Sequence, residues 1–249
     1  IELLKEQRTS LINITVTKGL NPNVELQDSG VEWIGEIPCG WYLSRIKYLS
    51  DGEKKSFTDG DWIESKDLSD SGLRYITSGN IGKGKYNEQG EGYISEETFY
   101  ELNCTELFPG ELVLSRLFFP LGRSCILPDL GNRVVTSVDN VILRPKNKYS
   151  KFFLNYFFNS FGYSEYTKLI SRGATLRRIS RGMLGNVHVI IPPLQEQQQI
   201  VDYLDKETSK IDTLITKESK RIELLKEYRQ SLISDVVTGK VDVRNEVLV

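Results

Sequence analysis

The sequence lacks most of the features that membrane proteins and disulfide-rich proteins need. No apolar run approaches the roughly 18 residues that a membrane helix requires, and the amino end has no signal-peptide organisation. We therefore expect a cytoplasmic protein with no membrane partner. Three cysteines, Cys39, Cys104 and Cys125, stand far apart without a C-x-x-C pair. This pattern argues against disulfides and zinc, and it predicts three small buried hydrophobic residues.

Motifs for cofactors and catalysis are also missing. Residues 82–87 contain two glycines but not the third of a nucleotide-binding loop, and no Asn-Pro-Pro follows, so we interpret them as a surface turn and not as a methyltransferase site. Asp51, Asp59 and Glu64 only superficially resemble the carboxylate cluster of a nuclease. The single histidine, His188, lies in a strand-like alternation without an evident catalytic partner. We expect no catalytic residue, no cofactor and no metal.

The near-zero net charge of −2 conceals a strong asymmetry along the chain. Residues 140–195 contain nine cations and one acid, so this segment carries +8 while the remainder carries −10. A basic segment in an acidic protein favours a partner that carries phosphates, because each neutralised phosphate releases counterions. A solvated basic face without a partner is the alternative that charge alone leaves open.

The two ends of the chain contain copies of the same sequence segment. Ile1–Ile12 and Ile222–Ile233 share ten of twelve residues, and a glycine follows each copy within a few positions, as at a helix end. The second copy continues a heptad-like pattern that predicts a helix over about 195–237, roughly 65 Å long. Because the first copy is only the tail of such a helix, we expect a longer protein with another long helix and another globular domain. Residues 1–17 should pack along the carboxy-terminal helix and cover Leu225 and Leu232, within one chain or between two.

The residues between the helices predict a mixed domain of the α+β class. Short apolar runs bounded by turn residues predict strands, and an aromatic pattern over 151–169 predicts a helix. The strands are expected at 75–77, 112–114, 124–127, 133–136, 140–143 and 187–191.

Three loops of this domain have the composition of a DNA-binding surface. Residues 77–85 are rich in glycine and lysine, residues 115–123 place two arginines around apolar side chains, and residues 171–178 are free of acids. Arg, Lys and Asn reach base edges, while Lys and Ser also contact phosphates. The predicted DNA-binding residues are Ser78, Asn80, Lys83, Lys85, Arg116, Arg123, Arg172, Arg177 and Arg178.

Two sequence stretches carry a resemblance to a known family. Residues 31–41 read VEWIGEIPCGW, and residues 190–197 read IIPPLQEQ and are followed by Ile200-Val201-Asp202-Tyr203-Leu204-Asp205. The chain resembles the carboxy-terminal half of the specificity (S) subunit of type I restriction-modification enzymes. The resemblance implies a non-catalytic subunit that reads one half of a bipartite double-stranded DNA target. It also implies docking to methyltransferase subunits and to restriction (motor-nuclease) subunits.

The same resemblance predicts a domain organisation. Residues 1–20 would end a central conserved helix, residues 21–192 would form a target recognition domain, and residues 193–249 would form a carboxy-terminal conserved region with a long helix and tail. The conserved helices would form an antiparallel, coiled-coil-like spacer, and they allow a homodimer. The alternative is a helical assembly scaffold whose globular domain binds peptide or carbohydrate instead of DNA.

Overall fold

The computed structural model describes residues 1–90, 92–173 and 176–240. The chain divides into two units, Thr9–Leu204 and the combination of Ile1–Arg8 with Asp205–Val249. Within the described residues, no helix is both long and apolar enough to cross a membrane.

The fold combines seven α-helices with thirteen short strands in the described part of the chain, which confirms the α+β class. The helices are α1 (Glu2–Lys18), α2 (Ile46–Leu49), α3 (Glu96–Glu101), α4 (Lys151–Phe158), α5 (Phe161–Ile170), α6 (Arg181–Gly185) and α7 (Leu194–Val237), with a short 3-10 helix at Ser65–Asp67. The strands are β1 (Leu26–Asp28), β2 (Glu36–Pro38), β3 (Tyr42–Arg45), β4 (Phe57–Asp59), β5 (Leu68–Ser69), β6 (Leu73–Ile76), β7 (Tyr93–Ile94), β8 (Glu106–Leu107), β9 (Leu112–Ser115), β10 (Ser124–Ile126), β11 (Val134–Thr136), β12 (Asn140–Leu143) and β13 (His188–Ile191).

Two larger sheets form the centre of the unit Thr9–Leu204. One is antiparallel in the order β10-β9-β12-β4, and the other has the order β5-β7-β6-β11-β8 with β6 and β11 parallel. Two-stranded ribbons, β1 with β2 and β3 with β13, complete the pairing. His188 lies on a strand, as its alternation predicted, and sits opposite Arg45 in the last ribbon. Partial burial lowers the pKa of its imidazole, and the nearby Arg45 charge adds to this shift.

The four-stranded sheet is buried on both faces. Leu112, Leu114 and Leu143 join the largest apolar cluster together with the helix α4. Val113 and Ile142, which alternate with them, join a second cluster shared with the five-stranded sheet. Because successive side chains of a strand point to opposite faces, the continuous apolar runs of β9 and β12 are explained by burial on both sides.

Two details differ from expectation. The predicted helix over 151–169 is two helices, α4 and α5, because Asn159 ends the first and turns its amide onto the backbone oxygen of Ser124 at 3.0 Å. Ser160 then precedes the second helix as its N-cap residue. The prediction of three buried cysteines is wrong for Cys39, which is exposed, whereas Cys104 and Cys125 are buried.

The residues behind the family resemblance hold the first turns of α7 against the globular unit. Trp41 donates its indole N–H to Glu196 Oε2 at 2.8 Å. Gln197 is buried; its Oε1 accepts the backbone N–H of Ser150 at 2.7 Å, and its Nε2 donates to Pro192 O at 2.8 Å. The Trp and the Glu-Gln pair are therefore structural requirements of the junction between the domain and the long helix.

The long helix is present as predicted, over 44 residues, which corresponds to about 66 Å at 1.5 Å per residue. Within the unit formed by the two chain ends, Arg8 pairs with Asp212 at 2.8 Å. Leu225 and Leu232 are 57% and 41% exposed, so the expectation that residues 1–17 cover them within one chain is wrong. The interchain alternative stays a prediction.

Candidate nucleic-acid interface

Two of the three loops that the sequence singled out, residues 77–85 and 115–123, meet around one buried arginine. Arg123 is 8% exposed, and its guanidinium donates only to backbone oxygens in the described structure. It reaches Ile81 O at 2.6 Å and Ser78 O at 2.7 Å in the first loop. In the second loop it reaches the carbonyl oxygens of Leu117, Phe118 and Pro120 at 3.0 to 3.1 Å. Arg123 therefore fixes the first loop to the second.

Backbone hydrogen bonds join the second loop to the third. Phe118 N–H donates to Arg177 O at 3.1 Å, and Ile179 N–H donates to Arg116 O at 3.1 Å. Arg172 and Arg178 exchange two backbone hydrogen bonds, at 2.9 and 3.1 Å, at the two ends of the third loop, of which residues 174–175 lie outside the described residues. These loops are about 40 and 55 residues apart in the sequence, and the fold brings their described residues together.

The second loop is also held from below by the helix α5. Thr167 Oγ1 donates to Leu121 O at 2.9 Å, and Leu121 is fully buried. Gly122 has a φ of +73°, and a Cβ there would overlap the hydroxyl of the buried Tyr163. A glycine is therefore required at this return of the chain. These contacts fix the chain just after the loop tip, which consists of residues 118–119.

Four of the predicted DNA-binding residues are buried and have partners inside the protein: Ser78, Asn80, Arg116 and Arg123. Ser78 donates to Asn140 Oδ1 at 3.1 Å, and Asn80 spans the first loop through bonds to Thr77 N and to the backbone oxygens of Asn87 and Gln89. These groups shape the loops. Their polar atoms have partners inside the protein, so these residues position the loops, and a DNA contact by any of them stays a prediction.

The remaining predicted residues reach the surface: Lys83, Lys85, Arg172, Arg177 and Arg178. Arg178 pairs with Asp139 at 2.6 Å, whereas neither Arg172 nor Arg177 forms an ion pair with any described residue. Arg177 instead donates to Lys168 O at 2.9 Å. Among the described residues, Arg172 and Arg177 are thus cations of the third loop that form no ion pair.

Sequence reasoning missed the acids that accompany these cations. Asp59, from β4, pairs with the buried Arg116 at 3.1 Å and with Arg181 at 3.5 Å. Burial lowers the pKa of the Arg116 guanidinium, while Asp59 opposes the shift and Arg178 adds to it. Arg144 is likewise used internally, against Glu111 at 2.6 Å. The charge of +8 in the segment is therefore only partly available to a partner.

Two exposed aromatic side chains at the loop tip were also missed as functional candidates. Phe118 and Phe119 are 48% and 46% exposed, and Lys168 lies over the Phe119 ring at 5.3 Å from its centre. The only sequence signal was a run of five apolar residues, 117–121, between two arginines. That signal identified the loop but not the side chains at its tip.

Catalytic geometry is not evident in the described residues. They contain no group of three or more His, Cys, Asp or Glu side chains that could hold a metal ion. Residues 82–85 form a tight turn in which Gly82 N–H donates to Lys85 O at 3.0 Å, so the two-glycine segment is a turn as interpreted.

The architecture is an α+β domain with two larger sheets and two ribbons, followed by a long helix. The sequence model described as the Type I restriction modification DNA specificity domain matches residues 53–224. The chain belongs to this family, as the sequence resemblance predicted.

Named relatives are longer than this chain. The MjaVIII type I restriction enzyme specificity subunit of Methanocaldococcus jannaschii is 23% identical over 250 residues, which cover 98% of this chain and 56% of that protein. The EcoKI specificity subunit of Escherichia coli is 28% identical over 216 residues, which cover 83% of this chain and 44% of that protein. The chain therefore spans about half the length of the curated relatives it matches.

Solved structures share the fold. The HsdS subunit from Thermoanaerobacter tengcongensis matches with a TM-score of 0.61 and 18% identity, over 96% of this chain and 52% of that one. A chain from a type I restriction-modification complex matches with a TM-score of 0.67 and 20% identity, over 94% of this chain and 52% of that one. At these identities the likeness describes the architecture and not the residues of a site.

Proposed function

We propose that the chain reads one half of a bipartite double-stranded DNA target, through the surface formed by residues 77–85, 115–123 and 171–178. The association of these three loops, through Arg123 between the first and second and through backbone hydrogen bonds between the second and third, carries the proposal. A rigid surface presents its cations in a fixed pattern, and a fixed pattern is what discriminates one DNA sequence from another. Arg172 and Arg177, which have no described acid partner, are the best candidates for contacts with phosphates or bases.

The proposed domain organisation follows from the same assignment. Residues 21–192 would be the target recognition domain, flanked by conserved regions at 1–20 and 193–249. We propose that the conserved helices dock methyltransferase subunits and restriction subunits in the cytoplasm, and that the chain itself performs no chemistry. S-adenosylmethionine or ATP turnover by the purified chain alone would contradict this assignment.

A salt titration tests the DNA-binding surface. DNA affinity of the chain should fall linearly with the logarithm of salt concentration. The double variant Arg172→Ala/Arg177→Ala should flatten that slope by about one unit for each lost phosphate contact. If a residue reads a base instead, its loss should cost roughly 1 to 3 kcal/mol on the preferred sequence only.

A matched control separates this surface from general positive charge. Lys146 and Lys148 are exposed cations of the same basic segment, but they lie beside Tyr48 and Tyr149, outside the three loops. Replacing both with alanine should leave the salt slope nearly unchanged. Equal salt slopes for the two double variants would show that general positive charge, and not the loop surface, drives DNA binding. If the wild-type chain binds no DNA at all, a peptide- or carbohydrate-binding scaffold is favoured instead.

The repeated segment supports a proposed homodimer. In the first copy Ile12 and Val16 are 6% and 0% exposed, in the apolar core that also contains Ile200 and Leu204. The equivalent residues of the second copy, 221 positions later, are exposed: Ile233 by 45% and Val237 by 80%. We propose that this face is covered in a second chain or in the other half of a longer protein. A monomer by sedimentation at micromolar concentration would argue against the homodimer.

A further inference from the structure

At the tip of the second loop, two phenylalanine side chains are exposed, the backbone of one is strained, and hydrogen bonds hold that backbone in place. Phe118 and Phe119 are adjacent and about half exposed. Single exposed apolar residues are common on protein surfaces and need no explanation. Two adjacent exposed phenylalanines at the tip of an anchored loop are less common, because together they form a small apolar surface that contacts solvent.

The backbone at Phe118 is in the left-handed region, with a φ of +59°. A side chain with a Cβ is disfavoured there, and glycine is the residue that adopts this conformation without cost. This position nevertheless has a phenylalanine. Its ring neither stacks on another aromatic ring nor lies under a cation among the described residues. Backbone strain that gains nothing for the interior of the protein is characteristic of functional positions.

The same tip is held by hydrogen bonds and has two cations beside it, of which Lys168 also pairs with Glu165 at 3.5 Å. The carbonyl of Phe118 accepts from Arg123 Nη1 at 3.0 Å, and its N–H donates to Arg177 O at 3.1 Å. Lys168 lies over the Phe119 ring, and Arg177 follows in the adjacent loop. An apolar end with cations beside it matches a ligand with flat apolar faces next to anionic groups, and a base step of duplex DNA has this composition.

We propose that Phe118 and Phe119 form an apolar wedge that enters a base step of the bound duplex and partly unstacks it. The inference rests on the proposed DNA-reading function and deepens it, because it names the mode of contact. Apolar side chains inserted between base steps kink DNA in other proteins, and the cost of unstacking then depends on the step, so the wedge would contribute specificity without hydrogen bonds to base edges. Pyrimidine–purine steps, which unstack most easily, are the expected positions.

The test uses the full chain and duplexes of its preferred sequence, obtained by selection from random duplex DNA, with 2-aminopurine placed at each position in turn. The wild-type chain should raise the fluorescence at one or two adjacent positions. Phe118→Ala/Phe119→Ala should abolish the rise and weaken binding about 5- to 150-fold, the range expected for losing one base-stacking contact. Phe118→Trp should retain the fluorescence rise, because indole preserves stacking.

Two controls keep the outcomes distinct. Phe152→Ala removes a phenylalanine of the same exposure, 48%, which lines a cleft together with Leu194 and Gly110, outside the three loops, and it should change neither affinity nor fluorescence. Thermal midpoints by circular dichroism establish that each variant is folded; if the alanine pair fails to fold, Phe118→Gly/Phe119→Ser replaces it. Tight binding with an unchanged fluorescence rise in the variant would overturn the wedge alone. If the double variant binds DNA normally but no longer docks a methyltransferase subunit, the two phenylalanines belong to a protein contact and the wedge is overturned. If the wild-type chain binds no DNA, the proposed function is overturned as well.

Discussion

Replacing Arg123 by methionine should destabilise the protein by about 3 to 4 kcal/mol. The guanidinium makes five hydrogen bonds to carbonyl oxygens, but Nη1 shares its two protons among three of them, so about four bonds are effective. A net contribution of about 1 kcal/mol for each bond gives this magnitude, and the site is too buried for water to replace the lost donors. Lysine at the same position retains at most three donors and should lose about half as much.

Urea unfolding followed by circular dichroism measures the difference. The control is Arg177→Met, because Arg177 is only partly buried and makes one short hydrogen bond, to Lys168 O, so its loss should cost no more than about 1 kcal/mol. An Arg123→Met variant within about 0.5 kcal/mol of wild type, or no less stable than the Arg177 variant, would refute the view that Arg123 holds the loops together.

Three other outcomes are expected. Phe118→Gly should raise the free energy of unfolding by about 0.5 to 1 kcal/mol, because glycine adopts a positive φ without cost. The same variant should bind DNA more weakly. A lower thermal midpoint than that of the wild type would contradict the assignment of strain. Thiol labelling of the folded protein at pH 8 should modify Cys39 alone, since burial raises the pKa of the Cys104 thiol to about 11 and that of Cys125 to about 12; equal labelling of all three would contradict this. In an assembled enzyme, inserting four residues in register into each paired helix adds about 6 Å and should lengthen the preferred spacer by about two base pairs of 3.4 Å each, as methylation mapping would show; an unchanged spacer would mean that the helices do not set the spacing.

The sequence predicted the fold class, the long helix and most of the central strands, because each has a local signature. Strands β9 and β12 appear as short apolar runs, and α7 has a helical repeat and a glycine near its end. The break between α4 and α5 had no such signature. It depends on Asn159 reaching Ser124, a contact between residues 35 positions apart that periodicity does not reveal.

The candidate site was predictable as loops but not as individual side chains. Composition identified all three loops, yet the roles of their arginines depend on contacts that arise only in the folded chain. Arg116 meets Asp59 across 57 positions, and Arg123 turns inward to carbonyls of two loops. From the sequence, an arginine that organises a loop and one that faces a ligand look the same, because both are cations flanked by glycine and apolar residues.

Selection of binding sites from random duplex DNA by the purified chain tests the proposed DNA-reading surface most directly. If the three loops read DNA, one short motif, corresponding to a single half-site, should be enriched. That enrichment should be lost in the Arg172→Ala/Arg177→Ala variant but not in the Lys146→Ala/Lys148→Ala variant. A folded wild-type chain that enriches no motif, or both variants enriching the same motif as wild type, would contradict the claim that the three converging loops read DNA.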